Sequence, residues 1–317
     1  MSGAKTELLA LCDAYDLVDL FGAHVEAEAP WLTLIRPAEV SNPAKIRFAL
    51  GWLPKPERLT DYPNLELICT IGAGADGLLR LPTLGPKVKV CRLRDEEQAK
   101  MMAGFAAWQV VWYQRGMAGY LRQQQEQRWN AFNKEPAERF SVGLLGYGHM
   151  GQAIATTLTS MGYRLSAAVR NAKQEAPAGL TLEAGAEGLA RVAAKSDLLI
   201  NVLPLTEATR GLLNADFFAM MKPGAILVNL GRGAHVVEAD LVAALDSGQV
   251  GGASLDVFAE EPLPTDSPLW SHPKILVTPH VASEAADAHV LRFAAEEIQR
   301  YEKGEPLRGL IDRSQGY

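Results

Sequence analysis

The chain has 317 residues, of which 48% are hydrophobic, 7% aromatic and 21% charged, and its formal net charge is −6. This length allows two domains with cores of their own, and an acidic balance without a basic block argues against nucleic-acid binding. No stretch approaches the roughly 18 apolar residues of a membrane helix, and charged residues interrupt the first 20 positions too often for a signal peptide, so we expect no membrane association and a cytoplasmic location.

The first 95 or so residues carry short apolar runs separated by turns, which predicts a loose α/β region. Residues 45–52 alternate like a strand that ends at Trp52, and residues 67–71 form a second short strand. The second strand leads into a glycine cluster that begins Gly72-Ala73-Gly74. Backbone N–H groups in such a turn can approach an anion closely, although a plain tight turn is the simpler explanation for this segment taken alone.

A long helix is predicted from Asp95 to about Leu121. Its apolar residues, including Met101, Trp108 and Trp112, cover much of its circumference. A helix of this kind is buried in a core or at a subunit interface. The polar residues 123–129 that follow are expected to form a solvated arm.

From residue 140 to residue 280 the pattern alternates between strands and helices. A buried strand at 140–145 runs into Gly146-Tyr147-Gly148-His149-Met150-Gly151, a GxGxxG turn that opens a helix. This combination predicts a dinucleotide-binding fold. Further strands are predicted at 164–169, 198–202, 225–229, 253–257 and 275–278, and the alternation favours a doubly wound parallel sheet.

The last amphipathic helix, about Ala285 to Gly304, is expected to return to the N-terminal part of the chain. We therefore predict a discontinuous substrate-binding domain of residues 1–95 and 286–317, and a dinucleotide-binding domain of residues 96–285, with a cleft between them.

Three polar residues follow later strands of the second domain: Arg232, Glu261 and His280. Ligands of open parallel sheets bind at the carboxyl ends of the strands. A cation, a carboxylate and an imidazole are therefore expected to converge near one nicotinamide ring. That set suits hydride transfer to a keto acid.

Four segments together, residues 146–151, 229–233, 255–263 and 278–282, resemble the D-isomer-specific 2-hydroxyacid dehydrogenases. Their order and spacing also fit, and the resemblance covers nearly the whole chain. Residues 234–238, 267–270 and 311–317 resemble the bacterial glyoxylate/hydroxypyruvate reductase A type within that family. The resemblance implies two Rossmann-like domains, one flavodoxin-like and one dinucleotide-binding, and NADPH-dependent reduction of small 2-keto acids such as glyoxylate and hydroxypyruvate.

The three converging residues have distinct expected tasks. The planar guanidinium of Arg232 can bind a carboxylate in two places and polarise the ketone; a surface ion pair is the alternative, but the flanking glycines leave room for a ligand. The resemblance implies that His280 gives and takes the proton. Glu261 would hydrogen-bond the imidazole and favour its charged form. Glu260 is the rival carboxylate, but Pro262 matches the family's Glu-Pro pair to Glu261.

The remaining site residues follow mainly from the resemblance. It implies that Asp256 accepts a hydrogen bond from the nicotinamide carboxamide, although a turn-capping Asp is the alternative. It also implies that the Gly72–Gly74 amides bind the substrate carboxylate opposite Arg232 and that Trp52 forms a pocket wall, although burial alone would explain Trp52. The full expected cofactor set is Gly146, Gly148, His149, Met150, Gly151, Arg170, Lys173, Pro204, Thr206, Leu230, Gly231 and Asp256.

Cofactor choice depends on the end of the second strand of the dinucleotide-binding pattern. NAD-selective sites carry an Asp or Glu there, which accepts from the ribose hydroxyls. This chain has Arg170 and Lys173 instead, and no carboxylate before Glu175. The two cations suit a 2′-phosphate, so we expect NADP(H) to be preferred and NAD(H) to be possible; a solvated charged loop with little selectivity is the alternative.

No metal site is expected, because the three cysteines and six histidines match no metal-ligand spacing. The helix at 95–121 and the resemblance together imply a homodimer. Two other functions stay open at this point. One is a dehydrogenase of a larger D-2-hydroxy acid, and the other is a non-catalytic NAD(P)-sensing binding module.

Overall fold

The computed structural model describes residues 5–132, 135–170, 176–185 and 187–316. The chain divides into two compact units, one formed by Met1–Gln98 and Glu284–Tyr317 and the other by Ala99–Ser283. Each unit has its own parallel sheet. Within the described ranges, no helix has both the length and the apolar character needed to cross a bilayer.

The first unit is built on five parallel strands in the order β2-β1-β3-β4-β5. This is the flavodoxin-like order. The strands are β1 (Thr6–Cys12), β2 (Leu32–Ile35), β3 (Phe48–Trp52), β4 (Leu67–Thr70) and β5 (Lys89–Cys91), and the short helices between them are α1 (Leu17–Phe21), α2 (Val25–Glu28) and α3 (Asp76–Leu79).

The second unit contains seven parallel strands, and two long helices precede them. The helices are α4 (Glu96–Arg115), which starts in the first unit, and α5 (Met117–Gln125). The strands are β6 (Ser141–Leu145), β7 (Arg164–Val169), β8 (Leu180–Ala184), β9 (Leu198–Asn201), β10 (Ala225–Asn229), β11 (Val250–Leu255) and β12 (Ile275–Val277), joined by helices α6 (His149–Ser160), α7 (Gly188–Lys195), α8 (Ala215–Met220) and α9 (Glu238–Ser247). Their order is β12-β11-β10-β9-β6-β7-β8.

The strand order of the second sheet reverses between β6 and β9. The chain first moves outward from β6 to β7 and β8, then returns to β9 on the other side of β6 and continues outward to β12. Such a switch point leaves a crevice at the carboxyl ends of the two central strands, where ligands of this fold class bind. The predicted pair of parallel-sheet α/β domains is confirmed.

The last helix, α10 (Asp287–Glu302), belongs to the first unit. Its buried residues, including Val290, Leu291 and Ala294, join the apolar core formed by Leu8 and Phe48 of the first sheet. The chain therefore leaves the first unit once and returns to it.

The segment predicted as one helix, residues 95–121, forms two helices. Gly116 lies between α4 and α5 with φ 64°. A glycine adopts this left-handed conformation without steric cost, and it ends one helix before the next begins. The predicted arm at 123–129 also starts later than expected, because α5 continues to Gln125.

Candidate active site

The GxGxxG turn connects β6 to α6, and each of its three glycines has a different structural reason. Gly146 has φ 104°, which favours glycine, and a Cβ there would lie 3.1 Å from the carbonyl oxygen of Val202. A Cβ at Gly151 would overlap the carbonyl oxygen of Gly146, so the helix approaches the turn this closely only because residue 151 has no side chain. A Cβ at Gly148 would meet no described atom within 4 Å. Open space thus lies before the N-terminus of α6, where a phosphate group would be stabilised.

His149 and Met150 open α6 and are half-buried. Arg170 follows the last residue of β7 and is exposed at the same carboxyl edge of the sheet. Lys173, the second predicted phosphate ligand, lies outside the described residues. Arg170 therefore occupies the predicted place of a ribose-recognising residue, with a positive charge instead of a carboxylate.

The segment after β9 lies against the glycine turn, since Gly146 is packed on the backbone of Val202 and Leu203. Its conformation is fixed by Thr209, whose hydroxyl donates to the carbonyl of Pro204 (2.8 Å) and accepts from the N–H of Thr206 (2.8 Å). Pro204 and Thr206 are half-buried. Both can therefore contact a dinucleotide that lies on the turn.

Arg232 follows β10 in a tight turn. Leu230 and Gly231 before it are buried, and a Cβ at Gly233 would overlap the backbone of Phe258, so this position accepts only glycine. The guanidinium Nη1 donates to the carbonyl of Gly231 at 2.8 Å. This hydrogen bond fixes the guanidinium, and the residue as a whole is half-buried.

His280 and Glu261 form a hydrogen-bonded pair. The imidazole Nδ1 lies 2.8 Å from Glu261 Oε2, and Glu261 Oε1 accepts from the backbone N–H of Phe258 at 2.9 Å. Burial by itself raises the pKa of the Glu261 carboxyl, but the hydrogen bonds from His280 and Phe258 and the nearby charge of Arg232 together lower that pKa below its usual value. The carboxylate form is thereby favoured. Glu260, its neighbour, is exposed.

Asp256 at the end of β11 is 1% exposed and binds the segment that carries His280. Its Oδ1 accepts from the Thr278 hydroxyl (2.7 Å) and from the N–H of Val281 (3.0 Å), and its Oδ2 accepts from the N–H of Ala282 (2.9 Å). The carboxylate thus fixes residues on both sides of His280. Whether it also accepts from a carboxamide stays a prediction.

The second unit therefore brings Arg232, Glu261 and His280 together. His280 contacts Glu261 directly, and Arg232 is near enough for its charge to act on the Glu261 carboxyl. Among the described residues, no group of three His, Cys, Asp or Glu side chains is arranged to bind a metal ion.

In the first unit, the predicted anion-binding turn Gly72-Ala73-Gly74 follows β4. The carbonyl of Gly72 accepts from the Thr70 hydroxyl (2.6 Å) and from the N–H of Leu93 (3.2 Å). The N–H groups of all three turn residues donate to no other described residue. Trp52 packs its ring on Gly72, where a Cβ would lie 3.3 Å from Trp52 Cζ3. Three consecutive amides are thus available to an anion beside an aromatic ring.

Three fully buried polar residues lie beside Arg232, and no role was predicted for them from the sequence. They are Asn201 at the end of β9, Asn229 at the end of β10, and His235. A signal was present, because an Asn closes each of two neighbouring strands whose other residues are apolar. Buried polar side chains of this kind are normally hydrogen-bonded to something specific.

A family model and a curated relative both match most of this chain. Residues 108–282 match the family model described as D-isomer specific 2-hydroxyacid dehydrogenase, NAD binding domain. A curated relative from Escherichia fergusonii, named glyoxylate/hydroxypyruvate reductase A, is 36% identical over 303 residues, which cover 90% of this chain and 96% of the relative.

Solved structures resemble the whole chain. A D-isomer specific 2-hydroxyacid dehydrogenase from Xanthobacter autotrophicus Py2, in complex with NADPH and MES, matches with a TM-score of 0.91 and 36% identity, over 98% of this chain and 99% of that one. An NADPH-dependent glyoxylate/hydroxypyruvate reductase from Sinorhizobium meliloti, in complex with NADP and sulfate, matches with a TM-score of 0.90 and 31% identity, over 99% of this chain and 100% of that one.

Proposed function

Because the chain belongs to the D-isomer specific 2-hydroxyacid dehydrogenase family, we propose that it is an NADPH-dependent reductase that converts small 2-keto acids, such as glyoxylate and hydroxypyruvate, into 2-hydroxy acids. The observation that carries this proposal is the His280–Glu261 pair, at 2.8 Å, close to Arg232 and in the same unit as the glycine turn. The names of the relatives and the NADP(H) bound to two of the solved structures support the same reaction and cofactor.

The residues of the second unit fit a dinucleotide phosphate. The open space at Gly148 admits the pyrophosphate to the N-terminus of α6, and Arg170 suits the 2′-phosphate. Pro204, Thr206, Leu230 and Asp256 follow strands of the same sheet and would contact the rest of the cofactor. NADPH, when bound, supplies the hydride that C2 of the keto acid receives.

Arg232 and His280 carry the other two tasks. Arg232 binds the substrate carboxylate with its guanidinium and stays charged throughout. His280 donates its proton to the ketone oxygen as C2 is reduced. Because its Nδ1 faces Glu261, the ring nitrogen that delivers the proton is Nε2. The side chain is 46% exposed, so water can restore the proton after each turnover.

Glu261 acts through His280. Its carboxylate, favoured by a lowered pKa, accepts from Nδ1, fixes the ring orientation and stabilises the protonated imidazole. The logic is that of the oriented histidine in hydrolase triads, with hydride transfer in place of nucleophilic attack.

For the first unit we propose a substrate-binding role and for the second a dinucleotide-binding role. The available amides of Gly72, Ala73 and Gly74 would bind a carboxylate, and Trp52 would limit the size of the substrate. Small 2-keto acids fit this proposal better than bulky ones.

We also propose that the protein is a cytoplasmic homodimer. The cysteines are free, which suits a reducing compartment.

On α4, Met101 is 50% and Trp108 41% exposed, and Trp129 further along is fully exposed. Met101 and Trp108 lie seven positions apart on the same side of α4, and large apolar side chains exposed in this way are common at protein interfaces. Sedimentation of the parent protein and of Trp108→Asp tests this; a monomeric parent would contradict it.

The experiment that tests the proposed function is steady-state NADPH oxidation with a panel of 2-keto acids of increasing size. Glyoxylate and hydroxypyruvate should give the highest kcat/KM. Faster turnover of a bulky keto acid would favour a dehydrogenase of larger 2-hydroxy acids. NADPH binding without turnover of any member would favour a sensing module.

A further inference from the structure

His235 is a fully buried histidine that lies three residues after Arg232, and the proposed reaction does not use it. Its Nδ1 lies 3.1 Å from the backbone nitrogen of Arg232 and 2.9 Å from Nδ2 of Asn201. Its Nε2 lies 3.3 Å from the carbonyl oxygen of Pro204. The ring therefore joins the turn of the proposed carboxylate-binding arginine to the segment that packs on the glycine turn.

The protonation state of this ring follows from its partners. The backbone N–H of Arg232 can only donate, so Nδ1 must accept. Asn201 agrees, because its Oδ1 accepts from the N–H of Leu203 at 3.2 Å, and its amide nitrogen is thereby the atom that faces His235. The proton of the neutral ring is then on Nε2, where it is donated to the carbonyl of Pro204.

Asn229 completes the network on the other side of the turn. Its Oδ1 accepts from Asn201 Nδ2 (2.8 Å) and from the N–H of Gly231 (3.3 Å), and its Nδ2 donates to the carbonyl of Arg232 (3.1 Å). Side chains thus bind both the N–H and the C=O of Arg232. A Cβ at Gly231 would lie 3.2 Å from the His235 ring, so the turn also packs on the imidazole.

We propose that His235 is a positioning residue, which sets the backbone of Arg232 through Nδ1 and the Pro204 segment through Nε2–H. This inference rests on the proposed function, because it gives Arg232 to the keto acid and the Pro204 segment to NADPH. One rigid ring in a buried, fully hydrogen-bonded network fixes both the Arg232 backbone and the Pro204 segment. Loss of either hydrogen bond would leave a buried polar group unsatisfied, which is costly. His235 does not touch the reacting atoms.

The two ring nitrogens can be separated by substitution. The amide of Asn lies near the position of Nδ1, so His235→Asn keeps an acceptor for Arg232 and loses the donor to Pro204. The amide of Gln lies near the position of Nε2, so His235→Gln keeps the donor and leaves the N–H groups of Arg232 and Asn201 without an acceptor. Both variants retain a buried polar side chain.

The measurements are the keto acid KM and kcat at saturating NADPH, the NADPH Kd from nucleotide fluorescence, and Tm, each for the parent and both variants. His235→Gln should raise the keto acid KM by about tenfold and leave the NADPH Kd within about twofold, because a lost hydrogen bond to a buried donor is commonly worth a factor of this size. His235→Asn should raise the NADPH Kd and leave the keto acid KM nearly unchanged.

Two outcomes would overturn the inference. If both variants change KM and Kd in the same proportion as they lower Tm, His235 serves the fold alone. If neither constant changes in folded variants, the network does not position the site. A parent protein that binds NADPH but reduces no keto acid contradicts the proposed function itself, and the two failures are thereby distinguished.

Discussion

His280 has a backbone conformation that residues other than glycine rarely adopt. Its φ is 54°, in the left-handed region, where a residue with a side chain costs of order 1–3 kcal/mol. The surroundings impose it: the N–H of His280 donates to the carbonyl of Thr278 (3.1 Å), and Asp256 binds the N–H groups of Val281 and Ala282. Strain that neighbouring contacts support in this way is typical of a functional position.

We expect His280→Gln to lower kcat for keto acid reduction by about 10²–10⁴-fold, because the proton donor is lost, while NADPH still binds. His272→Gln is a matched control, since His272 also lies beside a carboxylate, that of Asp246 at 3.4 Å, but precedes β12 at the opposite end of the strand. Near-parental turnover of His280→Gln would remove this residue from the mechanism.

Glu261→Gln should change the pH dependence of reduction. The pKa of Glu261 lies below its ordinary value of 4.5, so the carboxylate is fully ionised above pH 4.5. Its charged contact with His280 is lost only as the pH falls through the lowered pKa. A glutamine does not ionise, so the acid-side loss of kcat/KM that follows protonation of Glu261 should be absent from the variant's profile. Glu260→Gln is the control and should leave the profile unchanged. If Glu260→Gln moves the profile instead, the assignment of the pair is wrong.

Arg170 should decide the choice between NADPH and NADH. A charge-assisted hydrogen bond to the 2′-phosphate is worth about 1.5–3 kcal/mol, so we expect a preference for NADPH of roughly tenfold or more. Arg170→Asp should reverse the preference, because a carboxylate repels the phosphate and accepts from the ribose hydroxyls of NADH. Arg164→Asp, at the other end of β7, should change neither kcat/KM. Equal use of both cofactors by the parent protein would refute the role of Arg170.

At the level of elements, the glycine turn between β6 and α6 combines close packing with open space. Gly151→Ala should lower Tm, since its Cβ would overlap the carbonyl oxygen of Gly146. Gly148→Ala should leave Tm nearly unchanged, because the space beside it is open and its φ of −83° suits alanine. It should nevertheless raise the NADPH Kd, since the new methyl group occupies the approach to the helix N-terminus. A Gly148→Ala variant that binds NADPH as the parent does would place the pyrophosphate elsewhere.

Most strands of the second unit could be predicted from the sequence, and some short strands of the first unit could not. β7 and β10 have the predicted bounds, and β6, β9 and β12 differ from them by one residue at one end. β2, of four residues, and β5, of three, were not predicted, because so few positions show no period and, unlike β9 and β12, they do not stand in a regular alternation of strands and helices. The break at Gly116 was missed because an isolated glycine is tolerated within a helical pattern.

For the molecule as a whole, the two α/β domains could be predicted because sequence motifs indicate them, and the roles of the site residues named from the same motifs stay predictions. Arg232, Glu261 and His280 each follow a recognisable strand, and the family they indicate is confirmed. The contacts of the His235 network could not be predicted, since the terminal Asn of β9 and of β10 marks two of its members but does not indicate that Asn201, Asn229 and His235 meet. Only folding brings these residues into contact, and no fixed spacing in the sequence predicts that contact.

Hydride transfer from NADPH to C2 of a small 2-keto acid can be followed with an isotope label. NADPH that carries deuterium at both C4 positions of its nicotinamide is supplied with glyoxylate or hydroxypyruvate, and the 2-hydroxy acid formed is analysed by mass spectrometry. We expect one deuterium at C2 of every product molecule. Product formed with unlabelled NADPH in deuterated water should carry no deuterium at C2. A product without the label, or no product from either keto acid, would contradict this hydride transfer.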